Sequence, residues 1–135
     1  MRAVFADSFH FLALLNDDDL AHRLAVLEHR RTWQKIVTTD CVILEVGDAL
    51  CHPRDRDDFL ALLESFNRDS RIKIVRLTPA LLDRGIQLLR DRHDKEWPLT
   101  DCISFVVMED EGIKNALTGD KHNTWHPPNR QRNRL

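Results

Sequence analysis

Short apolar runs alternate with longer amphipathic stretches along almost the whole chain. Ala3 to Ala6 is wholly apolar and runs into Asp7-Ser8, which predicts a strand ending in a turn or helix cap. From Phe9 to Leu15 the apolar positions fall at helical spacing, until "NDDD" breaks the pattern. Asp19 is placed to cap a second helix, with Leu20, Leu24 and Leu27 as its buried stripe. Gln34 to Thr38 reads as a second strand. A helix follows from about Asp40, carrying Val42, Ile43, Val46 and Leu50. "CHPRDRDD" interrupts it, and Phe59, Leu60, Leu63 and Phe66 give the next helical face. "RIKIVRL" alternates charged and apolar residues, as a strand does. Thr78-Pro79 then starts a helix with Leu81, Leu82, Ile86 and Leu89 facing inward. A last helix is expected from about Asp101 to Glu111, closed by Gly112, and "IKNALT" is the final strand. Strands and helices in this alternation predict an α/β domain: three layers, α/β/α, around a mainly parallel sheet of four to five strands. Residues 1–122 form this single domain, and 123–135 are a basic, proline-containing tail expected to be disordered.

Composition narrows the function classes without choosing among them. Hydrophobic residues at 42% and charged residues at 31% describe a folded, water-soluble protein. No run of about 18 apolar residues offers a membrane span. "MRAVFADSF" enters a strand directly, without the apolar stretch and cleavage site of a signal peptide, so a cytoplasmic location is expected. Cys41, Cys51 and Cys102 are odd in number and lack CxxC spacing, which points to reduced thiols and away from zinc. The net charge of −2 does not announce a nucleic-acid binder, although a groove needs only a local basic patch. Arg130, Arg132 and Arg134 are read as part of a solvated terminus.

Four acids stand where such a fold delivers side chains to one place. Asp7 and Asp120 each close a strand-like run, Asp101 opens an apolar helix, and Glu45 lies within one. In an open parallel sheet ligands bind beyond the carboxyl ends of the strands. Carboxylates gathered there repel one another unless a cation neutralises them, and hard oxygen ligands suit Mg²⁺ or Mn²⁺. Glu45 carries most weight, because "VILEV" surrounds it with apolar neighbours and a buried, unpaired carboxylate is costly. Each acid also has a duller reading, as a turn residue, a first-turn helix acid or an exposed helix position.

The order of these residues resembles the PIN domain family, and particularly its compact VapC-type toxins. "VFADSFHFLALLNDDDLAHRLA" is similar to the family's opening strand with its Asp, followed by the Asp-x-x-His region at Asp19 and His22. "IVTTDCVILEVGDAL" resembles the segment holding the family Glu, here Glu45. "LTDCISFVVMEDEGIKNALTGDKH" resembles its most diagnostic stretch, supplying Asp101, Thr118 and Asp120. The likeness covers roughly residues 2 to 122 and departs at Asn123, near where family members carry a Phe before a last strand. It implies a Mg²⁺- or Mn²⁺-dependent endoribonuclease that hydrolyses RNA with metal-activated water. Asp7 and Asp101 would be principal ligands, with Glu45 and Asp120 completing the shell. Thr118 and Ser8 would orient water or phosphate, Ser8 being equally a helix cap. A cognate antitoxin and a homodimer are implied in the same way.

Two other classes compete. A haloacid dehalogenase-type phosphohydrolase would use Asp7 as nucleophile, but needs an Asp two residues on, where Phe9 stands. A non-catalytic PIN-like module would bind RNA or protein without cutting. Among the remaining residues, His122 and His126 lead into Pro127-Pro128 and do not suggest a helical metal pair. Trp33, Trp97 and Trp125 are candidates to stack on bases, Trp97 being read first as packing beside Pro98. Asp48 is read as solvated.

Overall fold

A computed structural model describes residues 2–18, 20–31 and 33–119 together with the backbone of 121–124. The elements run β1 (Ala3–Ala6), α1 (Ser8–Leu15), α2 (His22–Arg30), β2 (Lys35–Thr39), α3 (Asp40–Ala49), α4 (Pro53–Arg68), β3 (Ile72–Val75), α5 (Pro79–Asp91), α6 (Leu99–Glu111), β4 (Asn115–Thr118) and β5 (Lys121–Thr124). The sheet order is β3-β2-β1-β4-β5. The first four strands are parallel and β5 returns antiparallel along β4. This is the mainly parallel α/β sheet expected from the alternation, with β5 closing the edge beyond β4.

Burial shows that helices cover both faces. Successive strand residues point to opposite sides, yet Val4, Phe5 and Ala6 are all buried, as are Ile36, Val37 and Thr38. Threonines cap two helices, of which Thr78 is expected from the sequence and Thr39 is not. Thr39 accepts the Val42 amide at the start of α3, and Thr78 accepts that of Leu81 ahead of Pro79. Gly112 ends α6 at φ 68°, a conformation that glycine adopts without strain.

Two helical faces differ from the pattern. Leu20, Leu24 and Leu27 do not form a buried stripe: they are 98%, 49% and 57% exposed. Ala25 is the buried residue of α2 instead. A small side chain there lets α2 lie close against α1, which turns the leucines outward. The helix begins at His22, after an Ala21 cap that makes no side-chain bond, and Asp19 lies outside the described residues. In α5 the inward face is rotated to Leu81, Gly85 and Leu88, leaving Leu89 exposed. A Cβ at Gly85 would sit 2.6 Å from Cγ1 of Ile103 on α6, so glycine permits this pair of helices to touch.

Candidate active site at the carboxyl edge of the sheet

The chain runs β1 to β2 to β3 in one direction, then returns to place β4 on the other side of β1. The point where this order reverses is where α/β sheets bind ligands. Asp7 leaves β1 at that point. Its backbone amide donates to the Leu117 carbonyl at 3.2 Å, which fixes it beside the end of β4 and Thr118. Its carboxylate accepts the His10 amide at 3.1 Å, so Asp7, and not Ser8, caps α1.

Helix α6 faces these strands with Asp101, Ser104, Phe105 and Met108, spaced i, i+3, i+4 and i+7 on one side. From the sheet come Phe5 and Asp7 of the first strand edge and Ala116 and Thr118 of β4, again one face. Between them is a wedge-shaped cavity of about 200 Å³. Its mouth carries Asp7, Asp101 and Thr118, and its floor is apolar.

The acids at the mouth influence one another. The Asp7 carboxyl is pushed up to about 7, chiefly by burial, then by the negative charges of Asp101 and Glu45, against the amides of His10 and Phe9. Burial also raises Asp101. Glu45 is raised by partial desolvation and by Asp101, while a hydrogen bond from the Ser8 hydroxyl holds its charge. Among the described residues, no ion pair to Lys, Arg or His involves Asp7, Glu45 or Asp101. Glu45 corrects one inference from sequence: it is exposed beside Leu44, on the side of α3 away from buried Val42 and Val46. Apolar neighbours in sequence do not bury a helical residue whose own direction points out.

Three of the four sequence-predicted acids thus interact with one another, and Thr118 shares the cavity with two of them. Asp120 lies outside the described residues. Among the described residues no group of three or more His, Cys, Asp or Glu side chains is arranged as a metal site. The donor set is nevertheless all hard oxygen, and burial, joined at Asp7 and Glu45 by repulsion from neighbouring acids, raises these carboxyls, a cost that a divalent ion would relieve. Sequence reasoning missed Ser104, Phe105 and Met108. The signal was present, because counting helical turns from Asp101 arrives at each of them.

The other candidates serve the scaffold. Trp33 is buried, donates to the Glu28 carbonyl at 2.7 Å and has the guanidinium groups of Arg2 and Arg31 5.6 and 5.3 Å from its ring centroid. His22 bonds the Ala13 carbonyl at 2.8 Å and approaches Asp17 at 3.4 Å. Trp97 packs edge-on against Phe105, with ring centroids 4.9 Å apart. The side chains of His122, Trp125 and His126 lie outside the description, Asp48 is exposed, and the three cysteines are free thiols.

The profile of the PIN domain matches residues 4–123. The chain belongs to the PIN domain family. A search of curated proteins finds no match. Among solved structures, this PIN domain is similar to the Mycobacterium tuberculosis VapC20 toxin, described as cleaving the sarcin-ricin loop, with a TM-score of 0.74 and 22% identity. That likeness covers 84% of this chain and 86% of the other. It is also similar to VapBC2 from Rickettsia felis bound to a DNA fragment from its promoter, with a TM-score of 0.58, 11% identity and 84% of each chain covered. At these identities the two structures establish a shared fold. PIN membership displaces the haloacid dehalogenase reading, whose second acid would fall on the exposed Phe9. No helix among the described residues is long and apolar enough to cross a membrane.

Proposed function

We propose that this PIN domain is a Mg²⁺- or Mn²⁺-dependent endoribonuclease of VapC type, the toxin of a toxin–antitoxin pair. The observation that carries the reading is Asp7, fixed at the end of β1 with a carboxyl raised by burial and by Asp101 and Glu45. Asp7 and Asp101 would hold the ion, with Glu45 and Asp120 completing the shell. A bound divalent ion supplies positive charge to a phosphodiester and lowers the pKa of water there.

The protein's own groups prepare that place. The His10 amide orients Asp7, and the Ser8 hydroxyl orients Glu45. Thr118, which lines the cavity, would orient phosphate or water, while Phe5 and Met108 close the site from behind. The VapC20 likeness supports RNA as substrate and the VapBC2 likeness a cognate antitoxin as partner, and a homodimer in the cytoplasm completes the proposal.

The test is cleavage of a structured RNA with Mn²⁺ or Mg²⁺, with EDTA, and by Asp7→Asn. Metal-dependent cutting should fall by at least about a hundredfold in the variant, as losses of catalytic groups commonly do. Undiminished cutting by Asp7→Asn refutes this assignment. A well-folded protein that neither cuts nor gains thermal stability from Mn²⁺ belongs to the second reading, a non-catalytic binding module. That reading is favoured by the net charge of −2, which does not announce a nucleic-acid substrate.

A further inference from the structure

We propose that the wedge beneath Asp7 and Asp101 is a nucleobase pocket, taking the base of a single-stranded RNA nucleotide that borders the phosphate at its mouth. The identity of the occupant rests on the nuclease reading. The shape of the pocket does not. The mouth is acidic and the depth apolar: buried Phe5 and Met108 lie at its base, half-buried Phe105 lines its side, and Ala116 and Ser104 add little bulk. Its 200 Å³ falls below the roughly 300–1,000 Å³ of clefts for drug-sized ligands, so the occupant must be small.

A group attached to the phosphate at the mouth must be carried by the same nucleotide, and an unstacked base is the flat, largely apolar part of it. Phe105 offers a ring at the side of the wedge, held edge-on by Trp97, over which the Arg92 guanidinium lies at 5.2 Å. A ring so braced loses little freedom when a base stacks on it. The pocket is not purely greasy. The Ser104 hydroxyl donates to the Thr100 carbonyl at 3.1 Å, so its oxygen remains an acceptor for an exocyclic amine. Ala116 and Ser104 thereby become size-setting residues, and Phe105 a stacking residue, for the choice of nucleotide beside the cut.

The experiment uses full-length Asp7→Asn, which leaves RNA intact, with a single-stranded RNA carrying 2-aminopurine at successive positions. Binding should change the fluorescence strongly at one position. The effect should vanish on adding Ala116→Leu and need about tenfold more protein on adding Phe105→Ala. Ser104→Val is the second filling variant should Ala116→Leu fail to fold. An unchanged fluorescence response in a filled variant with a raised melting temperature means that the wedge is only a packing void, and overturns the proposal. So does equal affinity for an oligonucleotide that is abasic at the responsive position. Fluorescence change without any cutting by the wild type sinks the catalytic reading alone, whereas cutting without fluorescence change sinks the pocket alone.

Discussion

Asp7 accepts the His10 amide as the cap of α1 while burial, Asp101 and Glu45 hold its carboxyl near 7, so one residue starts a helix and stores repulsion. Because its folded pKa lies above the ordinary 3.8, the folded state holds a proton that the unfolded chain has already released. Its contribution to stability is therefore complete below about pH 4 and is lost as pH rises through 7. Asparagine caps a helix as well as aspartate does and carries no charge. In EDTA, Asp7→Asn should melt above the wild type at pH 8, by an amount on the order of a few kcal/mol, and the gap should close toward pH 4. Adding Mn²⁺ should raise the wild type and not the variant; a gap independent of pH would show that the Asp7 carboxyl is not raised. His10 works in the opposite direction. Fully buried against His29, it is lowered to about 3, so its share of stability is lost as pH falls below 6.5. For that reason the difference between variant and wild type carries the signal, and the wild-type profile alone does not. Asp7 was legible in sequence because a strand end is a position in one dimension. The outward turn of Glu45 was not, because it depends on how α3 is rotated about its axis.

Elements were read most securely where composition and period agree. The four parallel strands, the Thr78-Pro79 helix start and the Gly112 stop all stand where apolar runs and cap residues put them. The inward face of α5 was misread because leucines outnumber the one residue that decides the contact. Gly85 places helix backbone against Ile103, and the surrounding leucines rotate to suit. Gly85→Ala should raise intrinsic helix propensity by about 1 kcal/mol yet destabilise the fold, since overpacking costs about 1–3 kcal/mol. Denaturant unfolding decides the sign, and pairing the variant with Ile103→Val should recover part of the loss. A stabilised Gly85→Ala would mean that α5 and α6 are not in close contact.

Across the whole molecule, the turning-out of Leu24 and Leu27 separates two pictures of α2. Were they core residues, replacement by lysine would cost several kcal/mol each; exposed as they are, Leu24→Lys and Leu27→Lys should each change stability by no more than about 0.5 kcal/mol. Thermal melts of the double variant distinguish the cases, and a large drop would put the stripe back in the core. Sequence could not anticipate this, since Ala25 gives no hydrophobic signal strong enough to outvote three leucines. The sheet order itself was open to it only as a class, because strand adjacency is a relation between distant segments. One such adjacency governs how the molecule comes into being. Strand β1 precedes both of its neighbours in sequence, and the second of them is the distant β4, with Phe5 opposite Ala116. During synthesis, Val4, Phe5 and Ala6 wait with one unsatisfied flank until β4 has been made. The growing chain thus carries an adhesive seam until β4 emerges, and Asp7 meets Thr118 across the candidate site only when that seam closes.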